Sequence, residues 1–103
     1  MRCGVIKLTQ GNIDNHHLYL ATIMDLFPAA AVGGSSETDR ASQLLEVQSG
    51  VGMAVFTDIA GDKKIFRRRA WVGEFFAMHE LKAGDSVVVE RTGIHRYHVY
   101  PRR

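Results

Sequence analysis

A chain of 103 residues has room for one hydrophobic core, and two domains of half that length would each bury too little surface to fold unaided. With 46% hydrophobic and 23% charged residues the composition is that of a water-soluble globular protein and excludes a disordered chain. No apolar run approaches the roughly 18 residues of a membrane span, nothing at the amino terminus reads as an export signal, and the single cysteine, Cys3, closes no internal disulfide, so a reducing, cytoplasmic setting is expected.

In chain order, Val5-Ile6-Lys7-Leu8-Thr9 is rich in β-branched residues and reads as a strand, ended by the polar turn-formers Gln10-Gly11-Asn12. Leu18-Tyr19-Leu20 is a second short strand. Ala21 to Leu26 has helical composition, with Ile23, Leu26 and Phe27 spaced for one face, and Pro28 ends it. Val32 to Arg40 is a loop by composition. Leu44–Gln48, Met53–Ile59 and Lys64–Arg67 read as consecutive strands, separated by turns at Ser49–Gly52 and Ala60–Lys63, the pattern of an antiparallel meander. Trp71, Val72, Phe75, Phe76 and His79 recur at helical spacing and predict a helix over Ala70–Glu80. Leu81–Asp85 turns into a final hairpin of Ser86–Arg91 and Arg96–Tyr100. The expected fold class is mainly β with two short helices: a single open antiparallel β barrel over residues 1–103, its ends plugged by the helices, which also hides strand edges.

The formal net charge of +2 hides an asymmetry. Residues 1–62 carry three Lys/Arg against seven Asp/Glu, a net −4, whereas residues 63–103 carry ten against four, a net +6. Such a gradient points to a polyanionic partner. Its densest part is Lys63-Lys64-Ile65-Phe66-Arg67-Arg68-Arg69, five cations in seven residues. In a strand of period two these cations occupy both faces, so at least one face shows them to solvent. That makes the run either a phosphate-binding edge, gaining by counterion release, or a strand end made soluble.

The second polar concentration is Thr9 to His17. Asn and Gln amides pair with adenine edges, Asp accepts from cytosine, and His donates to guanine, so Gln10, Asn12, Asn15, His16 and His17 suit base reading; a plain surface loop has the same composition. Adjacent histidines on an extended segment point to opposite faces, as do His95 and His98 on their hairpin, so no metal site is read here. Asp62-Lys63-Lys64 is the acid-x-Lys triplet of Mg²⁺-dependent nucleases, with Asp39 or Glu46 as a further carboxylate, but Gly61-Asp62 is also a natural hairpin tip. For a protein- or ligand-binding module the pointers are Tyr97 and Tyr100. No covalent catalysis and no cofactor are indicated.

Three segments in order resemble the B3 DNA-binding domain, the pseudobarrel of plant transcription factors and of the effector domains of some bacterial restriction endonucleases. Lys7-Leu8-Thr9 with the Gln10–His17 stretch and Leu18-Tyr19-Leu20 is similar to the family's first strand, N-terminal recognition arm and second strand. Val55-Phe56-Thr57-Asp58-Ile59 through Lys64-Ile65-Phe66 is placed like the strand pair whose loop is the C-terminal arm. Trp71, Phe75 and Leu81-Lys82-Ala83-Gly84-Asp85-Ser86-Val87 resemble its tryptophan-bearing helix and Leu-x-x-Gly-Asp-x-Val turn. The match covers most of the chain and leaves Ala29 to Ser42 poorly matched. It implies non-catalytic, sequence-specific recognition of double-stranded DNA through the major groove. Gln10, Asn12, Asn15, His16 and His17 would come from one arm and Thr57, Asp58, Lys63 and Lys64 from the other. Arg67 would lie near the backbone, with Arg68 or Arg69 as additional phosphate contacts. Plant members carry Lys or Arg in the first arm where this chain has amides and histidines. The restriction-effector branch is therefore the nearer likeness, implying a bacterial source and a nuclease or another restriction-modification protein as partner. Titration of His16 and His17 near pH 6.5 implies tighter binding at pH 6 than at pH 8.

Overall fold

The computed structural model describes residues 2–102. Strand β1 (Cys3–Lys7) pairs antiparallel with β7 (Ser86–Gly93), and β7 with β8 (Arg96–Pro101). Strand β8 runs parallel to β3 (Leu45–Gln48), which pairs antiparallel with β4 (Val55–Thr57). The resulting five-stranded sheet has the order β1-β7-β8-β3-β4. A smaller sheet, β2-β5-β6, joins β2 (Val32–Gly33), β5 (Ile59–Ala60) and β6 (Ile65–Phe66). Helices α1 (Gln10–Asn15) and α2 (Ala70–Met78) and short 3₁₀ segments, the longest at Ala21–Leu26, complete a small mixed α/β protein.

Alternation of side chains builds the core. Along β7, Val87 and Val89 face inward; along β8, Tyr97 and Val99 do; along β3, Leu45 and Val47 do; all are buried. The inner face of α2 supplies Trp71, Val72, Phe75 and Phe76, as its spacing predicts. Aromatic rings link the layers: Phe27 stands edge-on to Phe66 at 6.0 Å and lies 4.9 Å from Tyr97. The Tyr97 hydroxyl donates to the Leu26 carbonyl at 2.8 Å, a buried bond across the core. Tyr97 is therefore a core residue, and Tyr100 is half-buried with its hydroxyl on Glu90 Oε1, so the two tyrosines do not form an exposed pair. Gly4 of β1 lies against Ile23 so closely that no Cβ would fit.

The structure corrects the expected elements in three places. First, Gln10–Asn15 is a helix, where the sequence reads a polar turn. Thr9 caps it: its Oγ1 accepts from Asn12 N, while Asn12 Oδ1 accepts from Thr9 N at 2.7 Å, a reciprocal capping box. His16, at φ 53°, ends it in the left-handed region. Second, the run from Met53 to Ile59 breaks at Asp58. Thr57, Asp58, Ile59 and Ala60 are all buried, as a strand with one face in solvent would not be, and β4 and β5 join different sheets. The meander is thus split, and the β3–β8 and β2–β5 pairings are parallel, not antiparallel. Third, Leu18-Tyr19-Leu20 contributes a single antiparallel bridge, Tyr19 to Ile65, and the Val32–Arg40 loop holds β2.

Candidate nucleic-acid interface

The bridge from Tyr19 to Ile65 is what assembles the site. Leu20 N donates to Lys64 O at 2.7 Å, so the segment leaving α1 and the turn Gly61–Lys64 between β5 and β6 lie side by side. Lys64 closes that turn in the left-handed region, at φ 56°, with its N–H on Ala60 O. Leu18 and Leu20 point into the core while Tyr19 points out, as strand alternation requires. Tyr19 OH lies 3.1 Å from His17 Nδ1, and the two rings meet edge-on at 5.4 Å. The His16 ring lies on Gly73 of α2, where a Cβ would come within 2.9 Å of it. Glycine there admits the imidazole.

This face is cationic. Partial burial lowers the pKa of His17 below its ordinary value, and the charges of Arg69, Lys63 and His16 lower it further. Residues from α1, the β5–β6 turn and the start of α2 thus act on one imidazole. Gln10 and Asn15 are exposed on α1, with Gln10 Nε2 donating to Asp14 Oδ1 and Asn15 Nδ2 to Gly11 O. Lys63 and Arg69 are exposed and Lys64 is half-buried. Tyr19 is the member that sequence reasoning passes over; the Leu-Tyr-Leu alternation is the signal that would have found it.

Four expected contact residues are occupied inside the protein instead. Asn12 is buried, its side chain bonded to Thr9 and to His17 O at 3.0 Å. Thr57 is buried, with Oγ1 donating to Asp58 O and accepting from Arg68 N. Asp58 is 1% exposed and receives Arg67 Nε on Oδ1 at 2.7 Å and Ala41 N on Oδ2 at 2.7 Å. Arg67 also donates through Nη1 to Ser36 O and through Nη2 to Gly34 O and Asp58 Oδ2. A buried carboxylate needs such partners, and a guanidinium fork supplies them in the right plane. Burial pushes the Asp58 carboxyl up, yet the hydrogen bonds from Arg67 and Ala41 outweigh it and hold the group below the usual carboxylate range. Asn12, Thr57, Asp58 and Arg67 therefore shape the molecule, and the loop from Gly34 to Ala41 is latched by the Asp58–Arg67 pair.

Of the acid-x-Lys triplet, Asp62 and Lys63 are exposed and Lys64 is half-buried on the Gly61–Lys64 turn. Among the described residues no three His, Cys, Asp or Glu side chains gather where they could hold a metal ion. Asp39 accepts from Ser36 Oγ, and Glu46 faces Arg96 at 3.7 Å on the outer side of the large sheet. Among the described residues no helix is long and apolar enough to cross a membrane. No family model matches the chain, and neither the curated proteins nor the solved structures give a match.

Proposed function

We propose that this chain is a non-catalytic domain that recognises double-stranded DNA. In this reading the two sheets form a B3-type open pseudobarrel, and α1 with His16 and His17 is one arm and the Gly61–Lys64 turn the other. Gln10, Asn15, His16 and His17 would meet base edges in the major groove, and Lys63, Lys64 and Arg69 would hold phosphates. One observation carries the reading: the Leu20-to-Lys64 hydrogen bond and the Tyr19–Ile65 bridge join two polar segments, far apart in sequence, into one cationic face. The charge gradient along the chain and the order of the B3-like segments support it independently. A nuclease or another restriction-modification protein acting in trans is the partner that the restriction-effector likeness suggests.

Selection from a pool of randomised duplexes tests this directly. The expected result is one enriched motif, whose log K falls against log salt with a slope of roughly −3 to −4 for three to five neutralised phosphates. A pool that emerges unenriched, or a complex indifferent to salt, overturns it.

A further inference from the structure

Arg68 lines a cleft of about 160 Å³ with Glu37, Arg40, Leu44 and Phe56, and the Asp58–Arg67 pair lies at its base. That base is preorganised: both Asp58 oxygens and the Thr57 hydroxyl are already hydrogen-bonded within the protein. Its walls carry unspent binding capacity. Phe56 is 53% and Leu44 46% exposed, and the two share this cleft. Arg40 and Arg68 are exposed, and among the described residues neither meets a carboxylate within 4.0 Å. At about 160 Å³ the cleft is well below the roughly 300 Å³ at which pockets for drug-sized ligands begin, room for a small group of the size of one base. Beyond that group there is space, because Glu37, Arg40 and Leu44 also line a wider groove that opens over Ala41 and Ser42.

We propose that this cleft binds a single nucleotide, with the base against Phe56 and Leu44 and the phosphate held by Arg40 and Arg68. An aromatic ring is a sequence-tolerant stacking partner for a base, and two guanidinium forks match a phosphate dianion better than a single carboxylate. The Glu37 carboxylate accepts hydrogen bonds only, so it suits the donor edge of a base, an exocyclic amino group or a ring N–H. The nucleotide comes either from the free pool or from a base turned out of bound DNA. The free-nucleotide arm of the test stands without the duplex-binding reading.

Titrating the ¹⁵N-labelled full chain with deoxycytidine monophosphate tests the site. Saturable amide shifts at Leu44, Phe56 and Arg68 are expected. Phe56→Ala and the double variant Arg40→Gln/Arg68→Gln should each weaken binding about tenfold with the fold unchanged by circular dichroism. Absence of saturable shifts overturns the proposal. So do equal shifts from inorganic phosphate at the same concentration, or undiminished binding by Phe56→Ala. A duplex carrying 2-aminopurine separates the sources: fluorescence that rises with wild-type protein but not with Phe56→Ala marks an extruded base, and unchanged fluorescence marks the free nucleotide. If no duplex binds at all, the DNA reading fails while the mononucleotide titration still decides this site.

Discussion

Lys63 and Arg67 stand four residues apart in the same basic run and do opposite things. Arg67 is turned inward, its guanidinium divided among a carboxylate and two backbone carbonyls, and it ties the Gly34–Ala41 loop to the small sheet. Lys63 is exposed at a turn, where its charge lowers the pKa of His17 on the neighbouring segment. Local charge density therefore says that cations are abundant and not which of them are spent. The deciding partner is Asp58, nine residues upstream of Arg67, which the burial of Thr57–Ala60 carries inside with its charge.

The comparison can be broken or sharpened by four measurements. Arg67→Met leaves the Asp58 carboxylate buried without its cation and should cost about 3–5 kcal/mol in urea unfolding, a large share of the stability of so small a domain. A loss under about 1 kcal/mol would mean that the loop is held by something else. The acid limb comes next. Because the folded-state pKa of Asp58 lies below its unfolded value, the stabilisation is fully present above about pH 4 and fades as pH falls through the depressed pKa. The urea midpoint should drop over that range, and Asp58→Asn should flatten the drop. Third, Lys63→Gln should leave unfolding within about 0.5 kcal/mol of wild type but make the salt dependence of duplex binding shallower by about one unit. A stability change without a change in slope would exchange the roles assigned to Lys63 and Arg67.

The smallest effect concerns His17. Burial and its cationic neighbours favour the neutral ring, so its protonation is displaced below the 6.5 of an ordinary imidazole and into more acidic solution than the sequence alone implies. Duplex affinity should rise as pH falls from 7 to 5.5, with little change between 7 and 8. His17→Gln should remove most of that rise. A profile unaltered by the substitution would take His17 out of the interface.

Much of the fold was legible because periodicity reports burial directly. The α2 stripe from Trp71 to Phe76 and the alternating Tyr97–Val99 segment follow that rule closely, whereas in β7 Val88 is buried together with Val87 and Val89. The helix α1 was not legible, since Gly11, Asn12, Asp14 and Asn15 are weak helix formers and the tertiary setting and the Thr9–Asn12 box override their propensity. Asn at the third helical position stands where the usual box signature has Glu or Gln, so the motif escapes a pattern search. The candidate site was half legible. Composition marked both segments, but amides and hydroxyls that suit a base edge also suit a backbone group, and the second use claimed Asn12 and Thr57.

The strand order carries a consequence for how the molecule is made. The centre of the large sheet is β7 and β8, both synthesised after β1, β3 and β4, the strands they hold together. Until the ribosome has delivered that closing hairpin, β1 has no partner strand and nothing in the large sheet joins it to the β3–β4 pair. Folding of the large sheet should therefore wait until Ser86–Pro101 has left the ribosome, and a nascent chain arrested before Ser86 should be digested by a protease that the 103-residue chain resists.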